Sequence, residues 1–268
     1  MSESRCRAGW GTWLAALALM LSAGVSAAAG PFAQAQARGE LRVGVPALAD
    51  AQRARTPHGL GPLAAERLAQ ALGLPLALQA LAADQAADAL AAGQVDVVLM
   101  AAGEPPGVAP RQAWVAARYQ PQPRAVIRSD TPMRRWEEAR GRSVCMARAN
   151  QPARALAHSH GAVLQEYDLP SEALVAVREG RCDIGLIDDA AWQSLMQLPE
   201  WRKFSASLPP QGPHAESGWL VPAAEQAWLA REMRLWQGRG VWRELAGRWA
   251  REVAFDVYLD QDGIDCHG

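Results

Sequence analysis

The feature that most constrains the fold is an order of elements that occurs twice. Residues Leu41 to Val45 form a short β-branched run ending at Pro46, and beyond a polar loop the stretch Leu60 to Leu72 carries apolar residues at helical spacing. Gly73 stops that helix. Leu74 to Leu78 then reads as a strand, Asp84 as the cap of a helix running through Ala92, and Val95 to Met100 as a buried strand. After a break, Ser143 to Ala147, Pro152 to His160, Val163 to Tyr167, Ser171 to Glu179 and Asp183 to Ile187 repeat strand, helix, strand, helix, strand. Two βαβαβ units in succession predict an α/β protein of two lobes, each with a mostly parallel sheet flanked by helices.

Proline-rich segments punctuate this order. Gln120-Pro121-Gln122-Pro123 lies between the units, and Pro209-Pro210-Gln211-Gly212-Pro213 follows the second. Neither segment can continue a helix or a central strand, so both mark crossings between lobes. Beyond the second crossing, Trp219 to Val221 reads as a further strand, and Ala223 to Arg251 has helical periodicity broken by Gly238 and Gly240. A tail that follows a second crossing is expected to pack back on the first lobe. The expected division is lobe 1 over 38–120 plus 214–268, lobe 2 over 124–208, and a two-segment hinge near 120–124 and 208–214. Two independent domains in series are the alternative.

At the start of the chain, Arg5 and Arg7 precede the apolar run Trp13 to Leu21, and small residues ending Val25-Ser26-Ala27 follow it. This pattern predicts a secretory signal over 1–27, cleaved near Ala27 or Ala29, and a periplasmic product. Cys6 lies before the apolar run, so no lipid-attachment cysteine follows it. The formal net charge is −1, without a basic stripe interleaved with aromatics, which argues against nucleic acid as a partner. No cofactor motif is present, and a monomer is expected. His158 and His160 are two apart on a predicted helix and point to different sides, so they do not read as a metal pair. Asp260 to Asp265 has a fragment of calcium-loop spacing without the remaining oxygen ligands, and Cys266 beside His267 is left unassigned.

Several pieces taken in order carry a family resemblance: GELRVGV, GLGPLAAERLAQALGLPLAL, LAAGQVDVVLMA, ARGRSVCMARAN, VREGRCDIGLIDD and GVWRELAGRWARE. Over roughly residues 39 to 252 the chain resembles the family 3 extracellular solute-binding proteins, the amino-acid-binding components of ATP-driven importers. The resemblance implies a periplasmic-binding-protein-like type II fold in which two hinged lobes close on an amino acid. It also implies that an arginine of the first lobe pairs with the ligand carboxylate and an aspartate of the second holds its ammonium. Arg111, within VAPRQAW, and Asp188, five residues after Asp183, occupy those positions. Asp189 could instead cap the helix beginning at Ala190, leaving Asp188 to face the cleft. Where the family has Gly-Ser or Gly-Thr to bind carboxylate, this chain has Ala149-Asn150-Gln151, whose helix N-terminus can still hold an anion. The loop PALADAQRARTPHG after the first strand lacks the family's aromatic residues, and AAGEPPGVAP replaces its hydroxyl-rich segment.

Cys145 falls on the first strand of the second unit and Cys182 just before the third. In a 2-1-3 strand order these are neighbours, so a disulfide is expected, with two buried thiols as the alternative. The expected function is capture of a small polar, amino-acid-like or anionic ligand for delivery to an inner-membrane ABC permease, without enzymatic activity. One alternative is an accessory or sensor partner of another periplasmic protein, with a degenerate pocket. The other is an enzyme similar to the cyclohexadienyl dehydratases, with Glu104 as the cleft acid.

Overall fold

The computed structural model describes residues 30–46, 59–101, 107–206, 208–212 and 214–259, with side chains to 254. Glu104 and the Asp260–Asp265, Cys266 and His267 segment lie outside the described residues, as does the expected signal. The chain runs α1 (Ala33–Arg38), β1 (Leu41–Val45), α2 (Leu60–Leu72), β2 (Leu76–Ala80), α3 (Ala86–Ala91), β3 (Val97–Met100), β4 (Gln112–Ala116) and β5 (Pro123–Val126). It continues through β6 (Ser143–Ala147), α4 (Gln151–Ser159), β7 (Val163–Tyr167), α5 (Pro170–Arg178), β8 (Ile184–Asp188) and α6 (Asp189–Leu195). The last elements are β9 (Gly218–Pro222), α7 (Gln226–Arg239) and α8 (Val241–Leu259).

These strands form two sheets, ordered β2-β1-β3-β9-β4 and β5-β8-β6-β7. Each contains the 2-1-3 parallel arrangement expected of a βαβαβ unit: β1 pairs in parallel with β2 and β3, and β6 with β7 and β8. The duplication extends to side chains. Asp96, just before β3, accepts the N–H of Arg42 at 2.8 Å, and Asp183, just before β8, accepts that of Ser143 at 2.9 Å. A carboxylate at the start of each third strand thus ties it to its first. The disulfide Cys145–Cys182 adds a covalent tie at the same junction of the second sheet, with Cα atoms 5.9 Å apart.

Antiparallel strands complete both sheets. β9 lies between β3 and β4 and is antiparallel to both, with Gly218 opposite Met100 on one side and Ala116 on the other. Glycine is required there, since a Cβ at 218 would come within 2.0 Å of the Trp114 ring. In the second sheet β5 pairs antiparallel with β8. Neither β4 nor β5 stands out in the sequence, because both are short and carry prolines or glutamines at their starts.

Local chemistry accounts for the element ends. Gly73 closes α2 at φ 67, and the N–H of Leu74 bonds back to the Ala69 carbonyl at 3.0 Å. That bond holds Leu74 to the helix end, so β2 begins at Leu76 instead of the expected Leu74. Asp84 does not cap α3: it sits inside a 3₁₀ turn, Ala83–Gln85, that leads into the helix. In the tail Gly240, at φ 67, separates α7 from α8, whereas Gly238 stays within α7. The short helix α1 carries no apolar periodicity or capping side chain that marks it in the sequence. Phe32 starts it with φ 53 and donates its N–H to the Glu225 carboxylate at 2.7 Å.

The tail does not pack on the first sheet's side alone. Helix α8 lies against α2 and α7 and also against α5 and α6 of the second unit. Val241, Trp242, Leu245, Trp249, Ala250 and Val253 are all buried, so this helix has apolar residues around much of its circumference and needs partners on two sides. One continuous hydrophobic core accordingly contains Leu41 and Val43 of the first sheet together with Cys145 and Ile187 of the second.

Candidate functional site

Parallel strands end and their following helices begin on one side of each sheet, and there the two units enclose a cleft of about 150 Å³. Its walls come from the strand ends at Met100, Ala147 and Ile187, from the helix starts at Leu60, Asn150 and Pro170, and from the first crossing at Tyr119 and Pro121. Trp242 and Trp249 of α8 line the cleft as well. A cavity of this size accommodates a small organic molecule on the order of benzene.

Asp188 ends β8 and stands as the residue before α6. Its carboxylate accepts the Tyr119 hydroxyl at 3.3 Å and the Asn150 side-chain N–H at 3.1 Å. Burial pushes its carboxyl pKa up to about 6, against the pull of the Tyr119 hydrogen bond, and the Asp189 carboxylate adds to the rise. Burial likewise holds the Tyr119 hydroxyl well above its ordinary value, with the Asp188 and Asp189 charges acting in the same direction, so tyrosine remains a donor. Among the described residues, no cationic side chain pairs with Asp188 or lines the cleft.

Asn150 is fixed at both ends. Its side-chain oxygen accepts the N–H of Ala153 at 3.1 Å, capping α4, while its amide nitrogen donates to Asp188. Gln151, the first residue of α4, is exposed and does not line the cleft. Asp189 is not the cap. It is the first residue of α6, its N–H donates to the Gln122 carbonyl at 2.9 Å, and its carboxylate accepts the Gln122 N–H at 3.3 Å. This two-way link binds the first crossing to the end of β8.

Arg111 is not brought to the cleft. It is exposed, with φ 67, immediately before β4, and its carbonyl accepts the N–H of Ala223 at 2.8 Å. The reason is strand direction. Gln112 at the start of β4 lies opposite Pro222 and Ala116 at its end lies opposite Gly218, beside Met100 of the cleft wall. Arg111 therefore stands at the end of the sheet away from the site. Against the expectation, the structure does not bring Arg111 together with Asp188 and Asn150.

Aromatic side chains line the cleft from elements other than the loop after β1. Tyr119 stacks on Trp242 with ring centroids 4.6 Å apart, and the Trp242 indole N–H donates to the Ala117 carbonyl at 2.8 Å. Trp249, two helical turns further along α8, lines the same cleft. The seven-residue spacing of Trp242 and Trp249 was visible in the sequence as a shared helix face, but not which cavity that face would meet.

No family model and no curated protein sequence matches the chain. Solved structures do. The chain is similar to a P235GK mutant of ArgBP from T. maritima, at 18% identity and TM-score 0.58 over 81% of this chain and 98% of that one. It is similar to the substrate-binding protein of an amino acid ABC transporter, at 16% identity and TM-score 0.55 over 79% and 99%. It is also similar to an ancestral cationic amino acid solute-binding protein, AncCDT-1, at 17% identity and TM-score 0.56 over 81% and 98%. That ancestor is described as a precursor of cyclohexadienyl dehydratase. The match spans nearly the whole of each of these chains, and with the paired sheets above it establishes that this protein has the type II periplasmic-binding-protein fold of amino-acid solute-binding proteins.

Proposed function

We propose that the protein is a solute-binding protein that takes a small amine-bearing molecule into its cleft, with the cationic group on Asp188. One observation carries this reading: a desolvated carboxylate, oriented by Tyr119 and Asn150, stands in a cleft wall with no cation paired to it among the described residues. An ammonium can supply the missing positive charge. The similar structures include proteins described as binding amino acids and arginine, which fits the same chemistry.

In this reading the crossings near 120–124 and 208–214 are the hinge between lobe 1 and lobe 2. The solute is handed to a membrane permease, and the N-terminal 27 residues direct export to the periplasm. Among the described residues, no helix is long and apolar enough to cross a membrane. Isothermal titration with a panel of amino acids and amines tests the proposal. A ligand that binds the wild type and loses at least tenfold in affinity in Asp188→Asn supports it. Ligands that bind equally well to Asp188→Asn overturn it. Release of the mature chain into the periplasm, checked by N-terminal sequencing for a start after Ala27 or Ala29, tests the location.

A second reading has one observation in its favour. A carboxyl titrating at about 6 can donate a proton near neutral pH, as a dehydratase acid must, and Asp188 would be that acid. Conversion of prephenate to phenylpyruvate, with loss of both water and carbon dioxide, that disappears in Asp188→Asn would establish it.

A further inference from the structure

The N-terminus of α2 and the side chain of Trp249 meet the same cleft as Asp188. Helix α2 is 13 residues long, and its first turn, Leu60 to Pro62, lines the cavity. Amides in a first turn have no acceptor within their own helix, and here they are those of Leu60 and Gly61, since Pro62 has no N–H. Gly59 offers no side chain to cap them, and no acidic residue lies in that turn. At each of the other two helix starts in the wall one N–H is already taken by a side chain. Asn150 accepts the Ala153 N–H in α4, and Glu172 accepts the Leu169 N–H at 3.1 Å in α5.

Trp249 is the second, independent observation. It is 1% exposed, and among the described residues its indole N–H, like that of Trp192, has no acceptor. Buried donors are seldom left in that state. The indoles of Trp136, Trp236 and Trp242 donate to Pro209, Glu232 and Ala117. Trp249 is held beside α2, because the two helices pack together and the neighbouring Arg248 pairs with Glu66 of α2 at 2.8 Å.

We infer that the first turn of α2 and the indole N–H of Trp249 form the subsite for a carboxylate of the bound solute, in the place the resemblance gives to an arginine. The inference rests on the solute-binding reading above. A carboxylate accepts from backbone amides and an indole together, and the positive end of a helix dipole favours its charge. With an ammonium on Asp188, the cleft then holds both ends of a zwitterion without an arginine, and Arg111 is free to lie at the far end of β4.

Titration of the full mature chain with matched pairs tests this: L-arginine against agmatine, and L-valine against isobutylamine, each amine being the amino acid without its carboxylate. Trp249→Phe removes the indole donor and keeps an aromatic ring. Leu60→Pro removes one first-turn amide at a position where proline suits a helix, and serves as well if Trp249→Phe does not fold. In the wild type the amino acid binds more tightly than its amine. Each variant weakens the amino acid about tenfold and changes the amine less than about twofold. Equal weakening of acid and amine, or an amine that binds the wild type as tightly as its amino acid, overturns the subsite while leaving the cleft reading in place. If neither member of any pair binds the wild type, the cleft reading falls and the subsite falls with it.

Discussion

The Tyr119 hydroxyl, carried on the first crossing, donates to the carboxylate of Asp188 at the end of β8, across 3.3 Å. The same ring stacks on Trp242 of α8, so a single tyrosine connects the crossing, the C-terminal helix and the cleft carboxylate. Tyr119→Phe keeps the stack and removes the donor. Because that hydrogen bond lowers the Asp188 pKa, the variant should titrate above the wild-type value of about 6, read from the side-chain carboxyl carbon by NMR. The accompanying loss of stability should be about 1 kcal/mol in urea unfolding.

Asp188 also makes the molecule sensitive to pH, and the sign follows from its raised folded value. Relative to an unfolded carboxyl near 3.8, the buried group favours the protonated form. Its contribution is fully present below about pH 4 and is lost as pH rises through about 6, a change on the order of 3 kcal/mol. Asp188→Asn should flatten that part of the stability profile. For an ammonium ligand the dependence is reversed: affinity is constant above about pH 7 and falls about tenfold per unit below about 6. Titrations from pH 5 to 8 check both limbs.

Arg111→Ala should leave solute affinity within about twofold of wild type, because the side chain stands at the end of β4 opposite Pro222, away from the cleft. A tenfold loss in that variant would restore the arginine to the binding site.

Reducing the Cys145–Cys182 disulfide opens a loop of 37 residues. In the chain-entropy picture this should cost about 4 kcal/mol, measurable as a lower melting temperature of the folded protein in strong reductant. A Cys145→Ala, Cys182→Ala double variant should show the same loss without any reductant effect.

Gly218→Ala should destabilise the first sheet by about 1–3 kcal/mol, because the added Cβ meets the Trp114 ring on the neighbouring strand. Trp114→Leu in the same background should recover part of the loss, which a thermal melt would show.

The sequence by itself determined the order of elements and many of their ends. Gly73 stops α2 and Gly240 parts α7 from α8 through backbone conformations that depend on neighbours a few residues away. The spacing of Cys145 and Cys182 within a βαβαβ unit favoured a disulfide over two buried thiols, since the 2-1-3 order makes their strands adjacent, and the structure pairs them. The family resemblance nominated Asp188 and Asn150, and both line the cleft because strand ends and helix starts in a parallel unit share one side. Tertiary structure alone decided the rest. Arg111 left the site because β4 runs parallel to β3, with β9 between them, a direction that no local pattern encodes. Tyr119, Trp242 and Trp249 entered it because α8 buries apolar residues against helices of both units, and long-range packing of that kind depends on which surfaces the finished sheets leave to be covered.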